Sequence, residues 1–126
     1  MKESTPPAIV THAKRLVLEV EAAVDAFPRK RKFGLGQEIR DLAYGGYKLA
    51  EKAWLSPSWS DKQHAFLGEL IELNDELKRR LNIAREMQAF SKARFQHVTE
   101  VAIGVGRQAT GWRKSFKHPK GQNSHA

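Results

Sequence analysis

Arg113-Lys-Ser-Phe-Lys-His118 is the segment whose residue types and spacing could carry out a reaction. An arginine can stabilise a phosphorane and a nearby histidine can act as general base, which together would cleave RNA. The segment lies in a cation-rich stretch where such a spacing arises by chance, and Pro119 ends any helix directly after it. The other histidines, His12, His64, His97 and His125, form no His-x-x-x-His or Glu-x-x-His pair. The two-metal carboxylate pattern of helix bundles is therefore missing. There is no cysteine, which excludes disulfides, thiolate catalysis and cysteine-ligated zinc. Gly34-Leu-Gly36 and Gly104-Val-Gly106 lack the further glycine or the Lys-Ser/Thr of nucleotide loops. No pair of carboxylates stands out for acid–base work. The expectation is a protein with no catalytic residue, no metal and no cofactor.

Charge is the more informative chemistry. The chain carries a net charge of +8 and an isoelectric point near 10.0, which bears on partners, not on fold. The excess is concentrated in two places. Residues 28–32 hold Arg29, Lys30, Arg31 and Lys32 and carry +4, while residues 91–126 carry +6 from seven cations and one anion. The remainder is close to neutral. Residues 61–90 are polarised within themselves, with Asp61, Glu69, Glu72, Asp75 and Glu76 before Lys78, Arg79, Arg80 and Arg85. The candidate nucleic-acid contacts are Arg29, Lys30, Arg31, Lys32, Arg79, Arg80, Arg85, Lys92, Arg94, Arg107, Arg113, Lys114 and Lys117. Phosphate neutralisation by such residues gives strongly salt-dependent affinity. Trp54, Trp59 and Trp112 could stack on bases, although Trp54 and Trp112 read more naturally as packing residues.

Four amphipathic segments must position these cations. In residues 7–27 the apolar seam is Ile9, Ala13, Leu16, Val20, Ala23 and Phe27, with Val10, Val17 and Val24 beside it and Thr5 as the expected cap. In residues 35–55 it is Leu35, Ile39, Leu42, Gly46, Leu49 and Ala53; Gly45-Gly46 implies close approach by a neighbour or room for Tyr44 and Tyr47. Ser56-Pro57 ends that segment, and Ser60 with Gln63 reads as a capping box. The third segment, 61–89, carries Phe66, Leu70, Leu73, Leu77, Leu81 and Ala84. Its end has no glycine or proline signal, so a break is placed near Ala89–Ser91, with Ser91 capping the fourth segment, 92–115. There Phe95, Val98, Ala102, Val105, Ala109 and Trp112 keep helical spacing. The expected fold is all-α, a single up-down-up-down antiparallel four-helix bundle over residues 1–126, with a disordered basic tail at 118–126. In that topology Arg29–Lys32 shares an end with the third boundary. No apolar run approaches the roughly 18 residues that span a bilayer, and Met1–Pro7, which has no apolar core, is not expected to act as a secretory signal. A cytoplasmic location without membrane association is expected.

The run from Pro28 through Arg40, leading into a Leu-Gly helix that ends near Ala53, resembles a known four-helix-bundle family. Leu81-Asn-Ile-Ala84 and Gly111-Trp112 with its following cation extend the match, so it covers about residues 8–115. The family includes proteins encoded in ribosomal RNA intervening sequences and the accessory variability determinant, Avd, of diversity-generating retroelements. Tyr44-Gly-Gly-Tyr47 departs from the large aliphatics usual there. The resemblance implies a non-enzymatic protein that forms a homopentamer with a basic surface. It would bind RNA or DNA and a reverse transcriptase in mutagenic copying. Arg29, Lys30, Arg31 and Lys32 match the family's basic motif, and the +8 charge favours the Avd branch over the intervening-sequence branch of unassigned function. The alternative from another class is a ribonuclease similar to the helical HEPN enzymes, using Arg113 and His118.

Overall fold

The computed structural model describes residues 5–116. These residues form five helices: α1 (Ala8–Asp25), α2 (Arg29–Lys32), α3 (Leu35–Leu55), α4 (Asp61–Glu86) and α5 (Lys92–Lys114). The protein is all-helical, with no strand among the described residues. The four long helices pack in a closed series, α1 on α3, α3 on α4, α4 on α5 and α5 on α1. Arg29–Lys32, expected as a link between helices, is itself a helical turn, because Arg31 and Lys32 donate their amides back to the Pro28 carbonyl at 2.9 and 3.1 Å.

Side-chain contacts tie the helices near their ends. Arg40, early in α3, donates to Glu21 at 3.0 Å and Asp25 at 3.1 Å, late in α1. Arg80, late in α4, reaches Glu38, early in α3, at 3.0 Å. Between α1 and α5, His12 meets Gln108 at 2.8 Å and His97 meets Glu19 at 3.0 Å. All of these pairs are at least partly exposed, so each contributes no more than about 1 kcal/mol; the core carries the stability.

The core follows the sequence pattern in some helices and departs from it in others. All six expected seam residues of α1, through Phe27 just beyond it, are buried. In α5, Val98, Ala102, Val105 and Ala109 are buried, with Phe95 and Trp112 half-buried at its ends. In α3 the buried line is Gly36, Ile39, Ala43, Gly46, Ala50 and Ala53, while Leu35, Leu42 and Leu49 only flank the core. Small residues at the contact let α4 come close. A Cβ on Gly45 would lie 2.9 Å from Leu73 Cδ2, and one on Gly46 would lie 3.4 Å from Leu70 Cδ1. The paired glycines therefore answer to close approach. Tyr44, exposed, and Tyr47, half-buried against the core, stack with ring centres 6.3 Å apart. Tyr47 donates to Glu51 at 2.8 Å, and that carboxylate holds the phenol above its ordinary value of 10.0.

In α4, Leu67 and Asn74 are buried where Phe66 and Leu73 were expected to be. Asn74 is 4% exposed and donates through Nδ2 to the Ala102 carbonyl at 2.8 Å. Gly106 leaves room for that amide: its Cβ would lie 3.0 Å from Nδ2.

The helix ends correct three expectations. Pro7, not Thr5, precedes α1, and no side chain caps it. Ser60 does accept from the Gln63 amide at 3.0 Å, but the return bond goes elsewhere. Gln63 accepts from the Trp59 amide at 2.9 Å and donates to the Ala53 carbonyl at 2.8 Å, joining α4 to the end of α3. The third boundary falls at Met87–Ser91, slightly earlier than placed. Gln88 sits at φ 59°, its amide bonds to the Arg85 carbonyl, and the Ala89 amide reaches back to the Ala84 carbonyl, both at 2.9 Å. This is a Schellman stop with glutamine in the position usually held by glycine. Ala89 and Ala84 are both buried, which supplies the apolar contact of that motif. Ser91 then caps α5 by accepting from the Arg94 amide at 3.1 Å.

Candidate nucleic-acid interface

The basic turn α2 begins two residues after Phe27, which belongs to an aromatic nucleus. Phe27, 4% exposed, meets Phe90 edge to face with ring centres 5.2 Å apart, and Phe90 meets Phe95 at 5.9 Å. These three rings join the end of α1 to the α4–α5 link and the first turn of α5. The Arg85 guanidinium lies 5.3 Å above the Phe95 ring, a cation–π contact. Gly36 clamps α2 from the other side. A Cβ there would lie 2.7 Å from Val24 Cγ1 and 3.2 Å from the Arg31 carbonyl oxygen. The backbone of α2 is thus packed against α3.

Cations from three helices flank this nucleus. Arg29 and Lys30 are exposed, and Arg31 and Lys32 are half-buried. Arg31 Nε is buried with no hydrogen-bond partner among the described residues. Arg85 and Lys92 are exposed and Arg94 is half-buried. Among the described residues none of these seven forms an ion pair, whereas Arg40 and Arg80 each bind two carboxylates. Lys92 and Arg94 also occupy the first turn of α5, which holds no acidic residue. Cations at a helix N-terminus oppose the dipole. An anion placed at this end would relieve both that cost and the mutual repulsion of the patch.

The other candidate residues divide. Arg80 lies near the corner but is engaged by Glu38 and Glu76, each at 3.0 Å. Arg79 borders a groove between α3 and α4 among Glu69, Glu72, Asp75 and Glu76. Neither joins the patch. Arg107 and Lys114 line a second groove of about 550 Å³ between α4 and α5. Lys78 faces them from α4, paired with Asp75 at 3.3 Å, over a floor that includes Ile71, Ile103 and Gly106. Lys78 is not among the candidate contacts; the placement of α4 beside α5 brings it into the groove. Arg113 lies over Gly68, whose Cβ would come within 3.3 Å of the guanidinium. Lys117 and His118 lie outside the described residues, and so does the expected tail.

Trp54 and Trp112 are half-buried against the core. Trp59 is 58% exposed, yet its ring meets Phe116 edge to face at 4.9 Å. The aromatic that sequence reasoning passed over is Phe33, 72% exposed directly after the basic turn. Its signal was its position beside four cations, outside every apolar seam. Among the described residues no cluster of His, Asp and Glu converges to hold a metal ion. No described helix is long and apolar enough to cross a membrane.

No protein-family model matches the chain, and a search of curated proteins found no match either.

Proposed function

We propose that this chain is a non-enzymatic nucleic-acid-binding accessory protein of a diversity-generating retroelement, acting with a reverse transcriptase in the cytoplasm. In this reading the four long helices form an up-down-up-down bundle that assembles into a homo-oligomer, a pentamer by the Avd resemblance. The observation that supports it is the set of cations from α2, α4 and α5 near one aromatic nucleus that form no ion pair among the described residues. Their role is electrostatic: they neutralise phosphates and release counterions, and repetition of the patch by assembly raises avidity.

Binding of a labelled 20-nucleotide strand across a salt series tests the reading. Each phosphate contact contributes roughly 0.7–0.9 to the logarithmic salt slope. Replacing Arg29, Lys30, Arg31 and Lys32 by serine should weaken binding and flatten the slope by up to about 3 units. An unchanged affinity and slope would remove the corner from the interface. Co-purification with a reverse transcriptase of a diversity-generating retroelement tests the partner; failure of the two to associate counts against the retroelement role but not against nucleic-acid binding.

A further inference from the structure

Phe33 is the most exposed large apolar side chain among the described residues, at 72%. It follows Arg29–Lys32 without a gap, at the C-terminal cap of α2. Its neighbour Gly34 has open space around it, with nothing within 4 Å of a Cβ built there. Three phenylalanines nearby in sequence or space, Phe27, Phe90 and Phe95, are packed into one another. Phe33, by contrast, is left in water, beside cations that have no carboxylate partner among the described residues.

Resting on the nucleic-acid reading above, we infer that Phe33 is a base-stacking platform and that the corner takes single-stranded RNA or DNA in preference to duplex. Cations that track the backbone together with an aromatic face for a base are the two elements of single-strand recognition. A duplex hides its base faces, and an aromatic ring reaches them only by wedging a step apart, which costs unstacking. A single strand presents them freely. The basic turn is four residues long, about 6 Å at 1.5 Å per residue. That length matches one or two nucleotides and offers no trough to cradle a double helix. The α2 cations, which immediately precede the ring in the chain, hold the neighbouring phosphates while the ring takes a base. Stacking tolerates any base, so little sequence preference is expected from this contact.

Fluorescence anisotropy with a labelled 20-nucleotide oligothymidylate, and with a duplex of equal length, tests this on wild type, Phe33→Ala, Phe33→Tyr and the doubly substituted Arg29→Ser, Lys30→Ser protein. Phe33→Ala should weaken single-strand binding between about fivefold and about 150-fold, the range of one stacked base. Its salt slope should stay unchanged and duplex affinity should stay within about twofold. Phe33→Tyr should retain single-strand affinity, since the ring is kept. Circular dichroism should be the same for all variants, since the side chain is mostly in water. Unchanged single-strand affinity in Phe33→Ala overturns the inference. If the Arg29, Lys30 variant still loses affinity in that case, the nucleic-acid reading survives without it. Equal losses on single strand and duplex also overturn it. So does a loss seen only on phosphatidylserine vesicles, which would assign the ring to a lipid surface. A wild-type protein that binds neither oligonucleotide overturns both readings.

Discussion

At Gln88 the chain adopts φ 59°, a left-handed conformation that costs a residue bearing a Cβ roughly 1–2 kcal/mol. The side chain is exposed, and its amide, not its side chain, makes the hydrogen bond that ends α4. Gln88→Gly should therefore relieve strain and lose no contact. Part of the gain returns as chain entropy in the unfolded state, so the expected net stabilisation is roughly 0.5–1 kcal/mol. Urea unfolding should show a higher midpoint at constant slope. Trp59 has a similar φ of 63°, but the outcome should differ. Its ring meets Phe116, and a contact of that kind is worth about 0.5–1.5 kcal/mol, enough to offset the relief. Asn74 adds a second single-residue decision in the interior. Its amide ties α4 to the α5 backbone at one height only, since the partner is the Ala102 carbonyl and the space is made by Gly106.

The glycines show what each helix gains or loses by a methyl group. Gly104 lies on α5 with nothing within 4 Å of a Cβ placed there, so Gly104→Ala should add helix propensity without a clash. About 1 kcal/mol of stabilisation is expected. Gly36 on α3 is the opposite case. Its Cβ would strike Val24 Cγ1 and approach the Arg31 carbonyl, and neither a short buried valine nor a backbone atom can swing aside. Overpacking of this kind costs about 1–3 kcal/mol and outweighs the propensity gain. Thermal unfolding of the two variants should therefore shift in opposite directions. The same contacts explain how far the fold was legible in the sequence. In α1 and α5 the apolar residues on the seam are also the ones that face the core, so spacing located it. In α3 the leucines sit one step round from a line of glycine and alanine. Periodicity weighs side chains by hydrophobicity and so favours the leucines, whereas close packing against α4 selects the small residues. The end of α4 was obscured because glutamine does the work of glycine there. The helical form of Arg29–Lys32 was hidden because four adjacent cations give no amphipathic signal. The corner cations were legible as a run, but the aromatic nucleus that gathers Arg85, Lys92 and Arg94 to them needed the contacts between Phe27, Phe90 and Phe95.

Among the described residues, two of the regions formed by the candidate cations lie far apart, and their separation makes a prediction about ligand length. One is the corner, which includes Arg94 in the first turn of α5; the other is the groove lined by Arg107 and Lys114 farther along the same helix. Arg94 and Arg107 are thirteen residues apart on α5, about 20 Å along the axis. A strand in stacked duplex geometry covers that distance in about six steps of 3.4 Å; an extended single strand needs fewer, but still more than the two steps between the outer phosphates of a tetranucleotide. A 20-nucleotide strand can therefore touch both regions of one protomer, and a tetranucleotide can touch only one. With the long strand, Arg107→Ser with Lys114→Ser should flatten the salt slope by up to about 2 units. That loss should add to the loss from the corner variant, because the two regions lie about 20 Å apart and contact different phosphates. With the tetranucleotide, measured at low salt, the groove variant should have little effect if the corner is the stronger region. If the groove variant leaves the slope for the long strand unchanged, Arg107 and Lys114 serve solubility and the interface ends at the corner. Equal sensitivity to the groove variant at both lengths would instead make the groove the primary contact, with Arg29–Lys32 an extension of it.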